Sequence, residues 1–124
     1  MANQMTISAV IAKIKVSKPN PFPDDLLTAY IDNLEQQVQA EVLKTPVADR
    51  VSYVWETDGD TVLLIPAPYD SCYLFYVAAR IDFDNKEFES YNQNMMQFNS
   101  LYEDYKKAYI SENPTASPRI QNIW

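Results

Sequence analysis

Histidine is missing altogether from the 124 residues, and glycine and cysteine occur once each, as Gly59 and Cys72. Without histidine there is no imidazole to act as a general base near neutral pH, no Ser-His or Cys-His pair, and none of the commonest zinc and iron ligands. A single glycine cannot build the Gly-rich loops whose backbone N–H groups cradle nucleotide phosphates. The lone Cys72 has no internal disulfide partner, and its neighbours Tyr73 and Leu74 suggest a partly buried helix, so a reducing compartment is expected. No apolar run approaches membrane-spanning length, and the residues after Met1 lack the basic flank and apolar stretch of a signal peptide. The expectation is a soluble, unexported protein without membrane contact, catalytic residue, metal or cofactor.

What is present suits a packed domain. Hydrophobic residues make up 47% of the chain and aromatics 13%, with nine tyrosines, enough for one core in a length too short for two ordinary ones. The formal charge is −7, and between Glu56 and Asp104 ten acidic side chains face only Arg80 and Lys86. Phosphate affinity comes mainly from Lys and Arg, so tight binding to a nucleic-acid backbone is not expected.

Thr6 or Ser8 can cap a first helix whose Ile7, Val10, Ile11 and Ile14 follow helical spacing and which ends near Val16. Pro19, Pro21 and Pro23 forbid regular helix and predict an extended hinge. Asp24 and Asp25 then suit the start of a second helix, with Leu27, Tyr30, Ile31, Leu34, Val38 and Val42 as its apolar stripe and Thr45-Pro46 as its stop.

Over residues 51–65 the pattern changes to β-branched and aromatic residues on both sides of Asp58-Gly59, a strong hairpin signal. The predicted register pairs Trp55 with Val62 and Tyr53 with Leu64 on one face, and Val54 with Leu63 and Ser52 with Ile65 on the other. A lone hairpin is marginal in water. Its mixed face, with Val54, Leu63 and Ile65, is therefore a candidate assembly surface.

After Pro66-Ala67-Pro68, Asp70 or Ser71 can cap a third helix carrying Tyr73, Leu74, Val77, Ala78, Ala79 and Ile81. Asp84 or Asn85 would cap a fourth, about 27 residues long, in which Phe88, Tyr91, Met95, Phe98, Tyr102, Tyr105 and Tyr109 form one aromatic seam. The fold class expected is mainly α: a small antiparallel bundle of about four helices with one hairpin, a single domain over residues 1–112. Residues 113–124 have no helical period but carry Arg119, Ile120, Ile123 and Trp124, an extended tail suited to docking on a neighbouring protein.

The order of these elements, with Pro66-Ala67-Pro68-Tyr69-Asp70, Tyr73-Leu74, Tyr76, Ile81-Asp82, Glu87, Tyr91-Asn92, Phe98-Asn99 and Tyr102, resembles the adaptor, or head-completion, proteins of the head-to-tail connector in tailed phages with long non-contractile tails. The likeness covers roughly residues 24–110. It implies a helix-packing motif made of Tyr69, Asp70, Tyr73, Tyr91, Asn92, Phe98, Asn99 and Tyr102. It also implies a ring of copies, commonly twelve, beneath the portal protein, which extends the DNA tunnel and presents a surface to the next tail-side connector or stopper protein. DNA would pass without specific binding. The location implied is the head-tail interface of the virion, and the host cytoplasm during assembly.

Blander readings suffice elsewhere. The acidic run from Asp82 to Glu89 lacks the turn glycine of a calcium loop and is explained by helix capping. Asp58 and Asp60 are explained by turn chemistry and the tyrosine seam by core packing, since base-stacking platforms need interleaved Lys or Arg. The alternative function is a small, prophage-encoded acidic regulator that binds a basic protein partner.

Overall fold

The computed structural model describes residues 5–112, and Thr6 sets the first boundary within them. Its hydroxyl accepts a hydrogen bond from the Ala9 N–H at 3.1 Å, capping helix α1, Ile7–Ser17. Ile7, Val10, Ile11 and Ile14 are buried on one face, as their spacing predicts. The prolines then hold the chain extended, and Asn20 fixes the bend by accepting from the Phe22 N–H at 3.0 Å. Helix α2, Asp24–Glu41, follows, with two acids in its first turn and Leu27, Tyr30, Ile31, Leu34 and Val38 buried. It stops before the expected Thr45-Pro46. Lys44 turns into the left-handed region at φ 57°, and the Thr45 N–H reaches back to the Gln39 carbonyl at 2.8 Å.

The predicted hairpin does not form. Residues Trp55–Asp58 make one helical turn, α3, because the Asp58 carboxylate accepts from the Val54 N–H at 2.7 Å while the Asp58 N–H bonds the Val54 carbonyl at 2.8 Å. Gly59 sits at φ −55°, whereas the hairpin turn that favours Asp-Gly needs positive φ there. The two flanks then part, and none of the predicted cross-strand pairs exists. Residues 51–53 bind side chains of α2, and residues 59–63 bind the start of the chain. Thr6 and Val62 form an isolated antiparallel bridge, flanked by Ile7 N–H to Thr61 carbonyl at 3.2 Å and Leu63 N–H to Met5 carbonyl at 2.9 Å.

Helix α4, Cys72–Asp84, begins after a short 3₁₀ turn, Tyr69–Ser71. No side chain caps it, contrary to the expectation for Asp70 or Ser71. Helix α5, Phe88–Glu112, is the longest element. Between them the Lys86 N–H bonds the Phe83 carbonyl at 3.0 Å and the Glu87 N–H bonds the Asp82 carbonyl at 2.9 Å, a C-terminal motif whose left-handed residue is Lys86 at φ 61°. This closure takes the place of the expected Asp84 or Asn85 cap on α5. Ring contacts Tyr69–Tyr105, Tyr76–Phe98 and Phe83–Tyr91 show the two helices running antiparallel. The other faces of α4 meet α2 and α1.

One cluster of buried side chains joins all four long helices with Leu63 and Ile65. Polar cross-links fasten its rim. Lys18 at the end of α1 pairs with the fully buried Asp82 of α4 at 2.7 Å, and Asn94 of α5 donates to the same carboxylate at 2.8 Å. Burial opposes the charge on Asp82, but the bonds from Lys18, Ser90 and Asn94 outweigh it and hold this carboxyl below its usual value. Tyr30 of α2 donates to Asp84, and Tyr102 of α5 donates to Glu41 at 3.1 Å. No helix among the described residues is long and apolar enough to cross a membrane.

Both left-handed positions among the described residues carry lysine, while the only glycine is used elsewhere. Lys86→Gly should therefore raise stability by about 0.5–1 kcal/mol, and β-branched Lys86→Val should lower it by a similar amount. Thermal unfolding of the two variants beside the parent checks the sign.

Candidate assembly surfaces

The most constrained polar group lies inside. Helix α2 carries Asp32, Glu35, Gln36 and Gln39 at i, i+3, i+4 and i+7, a polar stripe beside its apolar one. Each member bonds the segment that follows the helix. Gln39 exchanges two bonds with Val51, its Oε1 accepting from the Val51 N–H at 2.9 Å and its Nε2 donating to the Val51 carbonyl at 3.0 Å. Gln36 donates to the same carbonyl at 2.6 Å, and Asp32 accepts from the Tyr53 N–H at 2.9 Å and the Ser52 hydroxyl at 3.0 Å. Glu35, wholly buried, takes three donors: the Tyr53 hydroxyl at 3.1 Å, the Leu64 N–H at 3.2 Å and the Tyr73 hydroxyl. Tyr73 in turn accepts from the Ile65 N–H at 2.9 Å.

Burial is the strongest influence on Glu35 and raises its carboxyl above the ordinary value. The bonds from Tyr73, Leu64 and Tyr53 pull the other way, and the charge of Asp32 adds to the rise. Burial, followed by the Glu35 charge, pushes both phenols up, so both remain protonated donors. The arrangement is a cross-link whose oxygens are taken by the protein's own donors. Among the described residues no group of three or more Cys, Asp or Glu side chains could hold a metal ion.

The residues expected at an assembly face divide. Val54 is exposed, but Leu63 and Ile65 are core residues at 1% and 0% exposure, because the hairpin face that would have presented them does not exist. Arg119, Ile120, Ile123 and Trp124 lie outside the described residues. Of the helix-packing set, Tyr73, Phe98, Tyr102 and Asp70 are buried and Tyr69 and Tyr91 half-buried. Asn92 and Asn99 are exposed; Asn94, two positions on from Asn92, faces α4 instead. The aromatic seam also starts later than predicted, since Phe88 is 52% exposed.

Among the described residues, a surface near each end of α5 brings apolar groups together at the solvent. At the α4–α5 corner the rings of Phe83 and Phe88 lie 5.9 Å apart and those of Phe83 and Tyr91 5.5 Å apart, both phenylalanines being half-exposed. Asp84, Glu87 and Glu89 surround them in sequence. The second is a groove of about 490 Å³ at the far end of α5, lined by Leu43, Leu64, Pro66, Pro68, Tyr105 and Tyr109, with Glu112 at its edge. From Phe88 to Tyr109 α5 rises about 30 Å at 1.5 Å per residue, so the two surfaces stand well apart on one rod.

Comparison with protein-family profiles, curated proteins and solved structures finds no match for this chain.

The Glu35 cross-link has a measurable pH signature. Its carboxyl titrates above 4.5 in the folded chain, so the folded state holds more protons than the unfolded one just above that pH, and stability falls as pH climbs through the window. Glu35→Gln should flatten this fall. Glu35→Leu, which leaves the Leu64 N–H and two phenol O–H donors without their acceptor, should cost about 2–4 kcal/mol at any pH. Urea unfolding across a pH series measures both.

Proposed function

We propose that this protein is a structural adaptor of the head-to-tail connector in a tailed phage, forming a ring beneath the portal protein, extending the DNA tunnel and presenting a docking surface to the next tail-side protein. The observation that supports it most is the pair of unlike apolar surfaces, the aromatic corner and the groove, at the two ends of α5. A closed ring is built from heterologous contacts, and each subunit needs two different surfaces that fit one another's neighbours. The acidic balance suits a duct: with few cations between Glu56 and Asp104, the chain repels a DNA backbone and does not grip it. In this reading Val54 and the tail residues Arg119, Ile120, Ile123 and Trp124 add contacts to neighbours or portal, and the protein resides in the virion after assembly in the host cytoplasm.

A second reading, a small prophage-encoded regulator, is favoured by the acids Asp84, Glu87 and Glu89 beside the exposed rings, which would suit a basic partner.

Light scattering of the purified chain, alone and with the cognate portal, separates the two. The adaptor should form rings or a stable portal complex, and Phe83→Ser with Phe88→Ser should weaken that association at least about tenfold, as loss of interface anchors does, without loss of helix. A monomer indifferent to the portal would overturn the adaptor reading.

A further inference from the structure

The groove at the end of α5 is bordered by Glu112, the last residue before the segment 113–124. That segment contains Ile120, Ile123 and Trp124, three large apolar side chains within five positions, and Arg119 as its only charged side chain. The groove walls are apolar and aromatic, Leu43, Leu64 and two prolines facing Tyr105 and Tyr109. Tyr105 is buried enough that its phenol is pushed up to about 12, so it remains a neutral hydroxyl.

We propose that this groove is the receptor for the chain's own C-terminal segment, residues 118–124, with Trp124 and Ile123 seated between the Pro66–Pro68 wall and the last turns of α5. Four features favour this occupant. The segment starts at the groove's edge, and the eight residues from Glu112 to Ile120 reach about 27 Å when extended, whereas the groove wall from Ala108 to Glu112 covers only about 6 Å of α5. Pro114 and Pro118 each bias the residue before them against helical backbone, so less chain entropy is lost on docking. The indole N–H requires an acceptor, which tyrosine hydroxyls at the groove supply. Arg119 carries the sign opposite to Glu112 and to the acidic domain as a whole. Covalent attachment gives the segment an effective concentration in the millimolar range, which favours the chain's own groove over that of a second copy in dilute solution. In the connector reading the tail leaves this groove when a neighbour or the portal takes its place, so the docked tail belongs to the isolated chain.

Trp55 and Trp124 are the only tryptophans, so Trp55→Phe leaves Trp124 as the sole reporter. In that full-length background, Trp124 should emit to the blue of free tryptophan and resist acrylamide quenching, equally over about a hundredfold range of concentration, as intramolecular docking requires. Two variants should return it to the emission of free tryptophan: Ala108→Arg, which fills the groove, and Ile123→Ser, which leaves every residue of the helical domain unchanged. Solvent-exposed Trp124 emission in the parent would overturn the proposal. So would indifference to Ile123→Ser, or burial that appears only as concentration rises, which would assign the groove to the tail of a second copy.

Discussion

A carboxylate with no access to water organises this fold. Burying Glu35 is unfavourable unless its oxygens are satisfied, and the three partners that satisfy them are Tyr53 and Leu64 in the irregular segment and Tyr73 on α4. Because Tyr53 and Leu64 share one oxygen, the two arms of the 51–65 segment converge on α2 without touching each other as strands. Tyr73 extends the same network to Ile65. The apolar core alone would permit these arms many arrangements; the direction of three donors permits few. At the opposite rim Asp82 does the same for α1, α4 and α5, with the reverse response to pH, its depressed carboxyl contributing stability that fades as the solution is acidified below 3.8.

With the interior fixed in this way, the surface is left with little apolar material in clusters. The α4–α5 turn keeps Phe83 and Phe88 outside because the left-handed Lys86 closes the turn in three residues, too tightly for both rings to fold under. The groove at the other end exists because the Pro66–Pro68 segment stands off from α5 where the helix outlasts the bundle. The groove follows from α5 being longer than its neighbour, 25 residues beside 13 in α4. A rod that overhangs its own core offers contact to something else.

The helices were legible in the sequence because their cores obey a 3.6-residue period that nothing contradicts: Ile7 to Ile14, Leu27 to Val42, and Phe98 to Tyr105 all pack as spaced. The hairpin was misjudged because Asp58-Gly59 is a local signal, and a carboxylate at Asp58 can serve a helical turn as well as a β-turn. Leu63 and Ile65 were placed on an assembly face only by way of that hairpin. The information that decides the matter sits in α2, in the spacing of Asp32, Glu35, Gln36 and Gln39, which resembles an ordinary solvated face until the segment it binds is seen. In the same way Asn92 and Asn99 keep helical register with each other and face water, while Asn94 meets Asp82, a distinction that depends on the rotation of α5 about its axis.

The partners of Glu35 are all made after it. During synthesis the helix that contains it emerges 38 residues ahead of Tyr73, and Lys18 waits longer still for Asp82. A chain that ends before α4 lacks the Tyr73 donor, so burying Glu35 beside the apolar stripe of α2 is disfavoured at that length. Glu35 therefore reaches its fully bonded, buried state only once α4 is part of the chain.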